Sequence, residues 1–240
     1  MSAKRPAFYA ARSGPWRDWW TLLHPPYTAW HLSYLVIGAS LSPVVSVSRL
    51  GATLAGFFLA VGVAAHAFDE LQGRPLGTRI PASVLVAVCV AALGGAVGLG
   101  IAGVVEVGPS LVPFVVVGPA LVVAYNAELW KVHSDLGFAL CWGAFPLLTA
   151  FVAQAGTLSA DAVLAAGGAT ALSFAQRALS SPARQLRRRV TDVHGTVVFP
   201  DGSREPLSRD ELLRPLERGL GATTIAVVLL ATGLALSRLG

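Results

Sequence analysis

Long apolar stretches alternate with short polar segments along most of the chain. Windows of about 20 apolar residues, the length of helix that crosses roughly 30 Å of hydrocarbon, recur seven times. Glycines inside these windows, such as Gly94, Gly98 and Gly167, are typical of helices that pack closely in lipid. The pattern predicts an all-α transmembrane bundle of about seven spans, at residues 28–47, 50–69, 82–104, 110–129, 136–154, 160–179 and 218–238.

Two polar segments interrupt this pattern. The first, with Trp16, Trp19 and Trp20 beside arginines, is typical of an interfacial anchor and has no signal-peptide cleavage pattern. The second precedes the last apolar window. The chain therefore divides into an interfacial N-terminal segment (1–27), a transmembrane bundle (28–182), a cytoplasmic insertion (183–217) and a last transmembrane helix (218–240).

The insertion has its own local signals. Alternation in 190–199, followed by a Pro200-Asp201-Gly202 turn, predicts a small β-hairpin. Ser208 and Glu211 form a capping box that predicts the start of a helix leading into the last span. We expect the Arg184–Arg189 run to lie against lipid phosphates, with binding of an anionic substrate as the alternative. The insertion also offers a surface for a protein partner.

Composition supports a membrane protein. Hydrophobic residues make up 54% of the chain and charged residues 13%, which leaves too little polar surface for a soluble protein of this size. With the N-terminus in the cytoplasm, all but two of the 18 Lys and Arg residues, Arg49 and Arg238, fall on the cytoplasmic side. We expect an integral protein of a bacterial inner membrane. Its net charge of +5 suits anionic lipid, so nucleic-acid binding need not be invoked, and we expect Cys89 and Cys141 to be packed thiols.

A polar cluster stands at the end of the second apolar window. His66, Asp69 and Glu70 are three and four residues apart, so the three side chains can share one helix face. Carboxylates in such an arrangement can hold Mg²⁺ together with substrate phosphate oxygens, and Arg74 can contact the phosphate directly. The alternative is a solvated acidic pair at an interfacial helix end.

A second cluster follows the fourth window, with Tyr125, Asn126, Glu128 and Lys131 ahead of His133 and Asp135. The topology places it on the same membrane side as the first cluster, as a shared cavity would require. A polar loop near the headgroups, with no binding role, is the alternative.

The chain resembles the UbiA superfamily of intramembrane prenyltransferases over roughly residues 19–180. The residues that carry the resemblance are the stretch 19–30 that enters the first helix, Asp69 followed by Arg74-Pro75-Leu76, Tyr125-Asn126 with Lys131, and Gly143-Ala144-Phe145-Pro146.

This resemblance implies a helical bundle around a cavity that binds a polyprenyl diphosphate through Mg²⁺ and transfers or cyclises the isoprenoid, with a lipophilic acceptor. Asp69 and Glu70 would then hold the metal, and His66 would serve as a further ligand or base. Diphosphate contacts would come from Arg74, Lys131, Arg177 and Arg184. Orienting groups would be Tyr125, Asn126 and Glu128.

The chain departs from the family at the second Asp-rich motif. After the sixth apolar window it has Gln176, Arg177, Ser180 and Arg184 but no carboxylate, a set that can still bind phosphate through charge-assisted hydrogen bonds. A second hypothesis is therefore a catalytically degenerate lipid-binding protein or an assembly subunit of a membrane complex. A transporter is disfavoured because no charged residue lies near the middle of a predicted span.

Overall fold

The computed structural model describes residues 7–11 and 14–239. In this part of the chain, eight helices of at least eight residues and one hairpin follow in order. The helices are α1 (Pro15–Leu22), α2 (Pro25–Leu41), α3 (Val47–Leu71), α4 (Ala82–Val107), α5 (Pro109–Asn126), α6 (Asp135–Ala155), α7 (Ala160–Arg188) and α8 (Arg209–Leu239), and the strands between α7 and α8 are β1 (Gly195–Val198) and β2 (Arg204–Leu207).

Five of these helices, α3 to α6 and α8, are long and apolar enough to cross a membrane. Their outward surfaces carry large exposed apolar side chains such as Val105, Leu229 and Leu236, which lipid would cover. The protein is therefore a helical bundle of the integral membrane class. Helices α2 and α7 also stand at predicted span positions, but α2 is only 17 residues long and α7 is more polar. The count of seven spans stays a prediction.

Helix α2, the shortest of the seven at predicted span positions, lies at the centre of the bundle. Its Trp30, Tyr34 and Leu35 are fully buried, and it packs mainly against α6 and α8. A polar contact lies inside this core, because the Trp30 indole N–H donates to the Tyr34 hydroxyl (2.6 Å). Ser173 of α7 donates to the same hydroxyl (3.1 Å). A helix that is apolar on all sides is suited to such a central position.

Close contact between α2 and α6 depends on Gly38. A Cβ atom there would lie 2.1 Å from the Leu147 carbonyl oxygen, a backbone atom that cannot rotate away. We expect Gly38→Ala to separate the two helices and to lower the free energy of unfolding by about 1–3 kcal/mol. Thermal unfolding in detergent measures this loss of stability. Gly94→Ala is the matched control, because a Cβ at Gly94 meets nothing within 4 Å. Equal stability of the two variants would contradict the close approach.

Two helices contain π-helical stretches, Phe58–Ala65 in α3 and Leu140–Ala144 in α6. Wider turns of this kind leave carbonyl groups available to side chains, and they occur frequently at functional sites. The His66 ring donates from Nδ1 to the Gly62 carbonyl (3.0 Å), and the buried His31 donates from Nδ1 to the Trp142 carbonyl (2.9 Å). The apolar pattern of these windows does not reveal the irregularity.

The hairpin and its following helix confirm the local signals in the sequence. Strands β1 and β2 pair antiparallel across the Pro200-Asp201-Gly202 turn, with Gly202 in the left-handed region. At the start of α8, Ser208 donates its backbone N–H to Glu211 (2.7 Å), and Glu211 donates its own to the Ser208 hydroxyl (3.3 Å). This is the reciprocal capping box.

Charged residues are sorted between the two ends of the bundle. Arg49 pairs with Glu106 (2.8 Å), and Arg238 donates to the Ser40 carbonyl (2.8 Å), so both arginines lie at the end opposite the hairpin. The membrane side that each end faces remains a prediction.

Both cysteines are free thiols; Cys141 is buried and Cys89 half-buried.

Candidate functional site

An open polar cavity of about 350 Å³ lies at the hairpin end of the bundle. It receives Asp69 from α3, Asn126 and Glu128 from the end of α5, and Arg177 and Arg184 from α7. The two polar clusters of the sequence therefore contribute to one cavity, together with α7. Further lining side chains include Tyr9, His24, Tyr27, Gln72, His133, Ser180, Arg187, Arg188 and Glu217.

Cavity-facing residues recur on α7 at three- and four-residue spacing, which places them on one helix face. Four of them are arginines, namely Arg177, Arg184, Arg187 and Arg188. Arg184 is half-buried in this wall. Burial lowers the pKa of its guanidinium, and the neighbouring Arg177 and Arg188 lower this pKa further. Its Nη2 donates to the Ser181 hydroxyl (3.3 Å), and no carboxylate among the described residues forms an ion pair with it. The wall thus holds positive charge that an anionic ligand would neutralise.

Two other arginines of this wall are committed to protein contacts. Arg187 makes a two-pronged pair with Glu217, with Nη2 2.6 Å from Oε2, and so ties α7 to α8. Arg177 pairs with Asp135 (3.0 Å) and lies over the Phe138 ring, 5.3 Å from its centroid. These pairs hold the wall in shape.

The two neighbouring acids of α3 have different roles. Asp69 lines the cavity, within electrostatic reach of Arg184 and Arg188. Glu70 is fully buried and points into the loop 72–81, where its carboxylate accepts from the Leu76 backbone N–H (2.9 Å) and from both the backbone N–H (2.8 Å) and hydroxyl (2.9 Å) of Thr78. Glu70 thus fixes the loop 72–81 and does not line the cavity, and its metal-binding and catalytic role stays a prediction.

Arg74 also serves this loop. Its backbone is left-handed, and its guanidinium donates to the Ile80 carbonyl (2.6 Å) and, more weakly, to the Thr78 carbonyl (3.5 Å). The predicted diphosphate contact is thus directed at backbone instead of the cavity. Lys131 is exposed outside the cavity lining.

His66 lies behind the cavity wall. Its ring is stacked on the ring of His24, with centroids 4.2 Å apart and planes 13° from parallel, and His24 is the member of the pair that lines the cavity. The structure places His66 where it supports His24, one layer away from the predicted metal or base position.

Tyr125 forms part of an aromatic partition rather than the cavity lining. Its ring stacks on His133 of the cavity (4.6 Å) and meets Trp142 edge-on (5.6 Å). Trp142 in turn lines an apolar groove of about 160 Å³ between α3, α4, α5 and α6. The partition thus separates a polar compartment from a space suited to hydrocarbon.

The N-terminal segment also contributes to this site, which the interfacial pattern of its tryptophans does not predict. Phe8 and Tyr9 pack edge-to-face on Tyr27, and the Tyr9 hydroxyl lies 2.7 Å from Nδ1 of His24. The sequence feature that indicates this contribution is the polar stretch His24-Pro25-Pro26-Tyr27 at the start of α2, which also carries part of the family resemblance.

The donor set of the cavity does not form a preformed metal site. Over the described residues, no group of three or more His, Cys, Asp and Glu side chains is arranged to hold an ion. Asp69 is the predicted ligand that reaches the cavity, whereas Glu70 is engaged elsewhere. The arginines of the cavity suit direct phosphate binding.

No family model, curated protein or solved structure matches this chain. The fold and the site alone define the class: a helical integral membrane protein with an arginine-walled polar cavity at one end of its bundle.

Proposed function

We propose that this protein binds a polyprenyl diphosphate, with the headgroup in the polar cavity, and acts as a divergent UbiA-like prenyltransferase. The observation that carries the proposal is the half-buried Arg184, which lies beside Arg177 and Arg188 at the end of membrane helices and lacks a carboxylate partner in the described chain. Burying such charge is costly unless an anion compensates it.

The side chains of the cavity suit a diphosphate leaving group. Arginine donors would bind its oxygens through charge-assisted hydrogen bonds, and the Asn126 side chain at the opposite wall would help orient it. Breaking the C1–O bond would leave both bonding electrons on the diphosphate and an allylic cation on the isoprenoid. Alkylation of a lipophilic acceptor would then release a proton. Fixed positive charge at the leaving group favours this ionisation.

Binding and turnover are tested on the full-length protein in lipid nanodiscs. We expect geranylgeranyl diphosphate to bind and geranylgeraniol, which has the same tail without the phosphates, to bind at least about tenfold more weakly. Diphosphate release is then measured with candidate aromatic acceptors, with and without Mg²⁺, which also tests the predicted cofactor. Equal binding of the alcohol and the diphosphate would refute the proposed headgroup site.

A specific observation favours a second candidate function, a non-catalytic lipid-phosphate protein or assembly subunit. Because Glu70 is engaged in its loop, Glu217 is paired with Arg187 and the cavity-facing part of α7 contributes no carboxylate, the acids of the described cavity left for a metal-dependent ionisation are Asp69 and Glu128. Diphosphate binding without release across a panel of donors and acceptors, together with a partner that co-purifies in stoichiometric amount, would support this candidate. Turnover by the isolated protein would exclude it.

A further inference from the structure

His24 contributes to the cavity a buried ring nitrogen with no protein partner. The residue lines the cavity, is 9% exposed, and precedes α2 in a left-handed conformation (φ 46°). Its Nε2 makes no hydrogen bond within the described chain. A buried unpaired polar atom destabilises a fold by roughly 1–3 kcal/mol, and His24 lines the cavity, so its Nε2 is the atom of this residue that a ligand in the cavity would pair.

Neighbouring side chains determine which proton the imidazole carries. Burial raises the pKa of Tyr9, so its hydroxyl stays protonated and has a single hydrogen to donate. The hydroxyl lies 2.7 Å from Nδ1 of His24, and it has no other hydrogen-bond partner in the described chain. When Tyr9 donates to Nδ1, the hydrogen of the neutral ring lies on Nε2.

The ring is also fixed in orientation and in charge. It stacks on His66, whose own Nδ1 is bonded to the Gly62 carbonyl. Burial lowers the pKa of His24, and His66, Arg188 and Arg184 lower it further, so the ring is neutral near pH 7. Both arginines line the same cavity as His24.

We infer that His24, oriented by Tyr9, donates its Nε2–H to a phosphate oxygen of the headgroup, which makes the N-terminal segment part of the binding site. This inference rests on the proposed headgroup site. The arginines supply charge, while the imidazole supplies one directional, neutral donor at a fixed point of the wall. Ala7, Phe8 and Tyr9, which line the same cavity, would then cover the bound headgroup.

Two substitutions at His24 distinguish the effect of losing the Nε2–H donor from the effect of changing the backbone. In His24→Asn the residue tolerates the left-handed conformation, but its amide reaches only as far as Nδ1. In His24→Gln the amide extends to the position of Nε2 and can still donate. We expect geranylgeranyl diphosphate to bind His24→Asn about tenfold more weakly than wild type, and His24→Gln within about threefold of it. His194→Gln, on the exposed hairpin segment, is the control.

A spectroscopic measurement on the wild-type protein tests the contact of His24 with the ligand even if His24→Asn fails to fold. The chain has five histidines, so ¹⁵N-histidine NMR in nanodiscs can resolve His24, assigned by its loss in His24→Gln. We expect its Nε2 to be protonated and its resonance to shift on addition of geranylgeranyl diphosphate, and Tyr9→Phe to perturb the tautomer.

The outcomes distinguish the role of His24 from the existence of the headgroup site. Unchanged affinity in both His24 variants, or an Nε2 resonance that does not shift while wild type binds the ligand, would overturn the role of His24 and leave the headgroup site standing. Failure of wild type to prefer the diphosphate over the alcohol would refute the headgroup site and this inference with it.

Discussion

Replacing Arg184 by glutamine is expected to weaken binding of geranylgeranyl diphosphate about 10- to 100-fold. A hydrogen bond to a charged group contributes about 1.5–3 kcal/mol, and each 1.4 kcal/mol is a factor of ten in affinity. Arg184 should show the full effect because no carboxylate of the described chain pairs with it, so its charge is available to the ligand. Glutamine retains much of the side-chain length and a donor but removes the charge.

The matched control is Arg204→Gln on the exposed strand β2, which changes net charge equally but lies outside the cavity lining. Isothermal titration or a fluorescent-analogue competition assay in nanodiscs measures both variants. Binding of geranylgeraniol should be the same in wild type and Arg184→Gln. If Arg204→Gln weakens diphosphate binding as much as Arg184→Gln does, long-range attraction explains the affinity and the cavity assignment fails.

The helices of this fold can be predicted from the sequence because a segment that crosses lipid must be helical, long enough and apolar. A long helix stands at every predicted position, although α2 ends at Leu41 rather than at residue 47. That early end follows from Pro43, because the residue before a proline is disfavoured in helical geometry, and Ser42 accordingly has ψ 146°. The apolar count of the window does not register this single residue.

Only part of the candidate site can be predicted from the sequence. Spacing of three and four residues placed His66, Asp69 and Glu70 within one broad helix face, but consecutive residues differ by about 100° around a helix. When Asp69 faces the cavity, Glu70 must turn toward the loop 72–81, as observed. Periodicity alone does not show which of two adjacent acids faces a cavity.

The contact between Tyr9 and His24 lay beyond sequence reasoning for a different reason. It joins a residue before α1 to a residue after it, 15 positions apart, so no helical period predicts it. Interfacial tryptophans indicate that such a segment lies near the membrane surface, but not which side chain turns inward. Unpaired polar atoms such as Nε2 of His24 become visible only when the packing is known.

The second large effect is expected at Glu70. Its carboxylate accepts three hydrogen bonds from the Leu76 and Thr78 groups in a fully buried position. Glutamine fills the same volume but replaces one acceptor oxygen by an NH₂ group, which would face a donor. We expect Glu70→Gln to lower the free energy of unfolding by about 2–4 kcal/mol, since each buried donor left unpaired costs about 1–3 kcal/mol. Hydrogen exchange in the loop 72–81 should rise with it.

Asp69→Asn is the internal control, because it makes the same chemical change one residue earlier, at the cavity. It should leave exchange of the loop 72–81 near the wild-type level and alter ligand binding instead. The two variants therefore separate a structural acid from a site acid on adjacent positions of one helix. A Glu70→Gln protein with a fully protected loop and lost Mg²⁺-dependent diphosphate release would restore Glu70 as a metal ligand and show that its carboxylate leaves the loop when substrate binds.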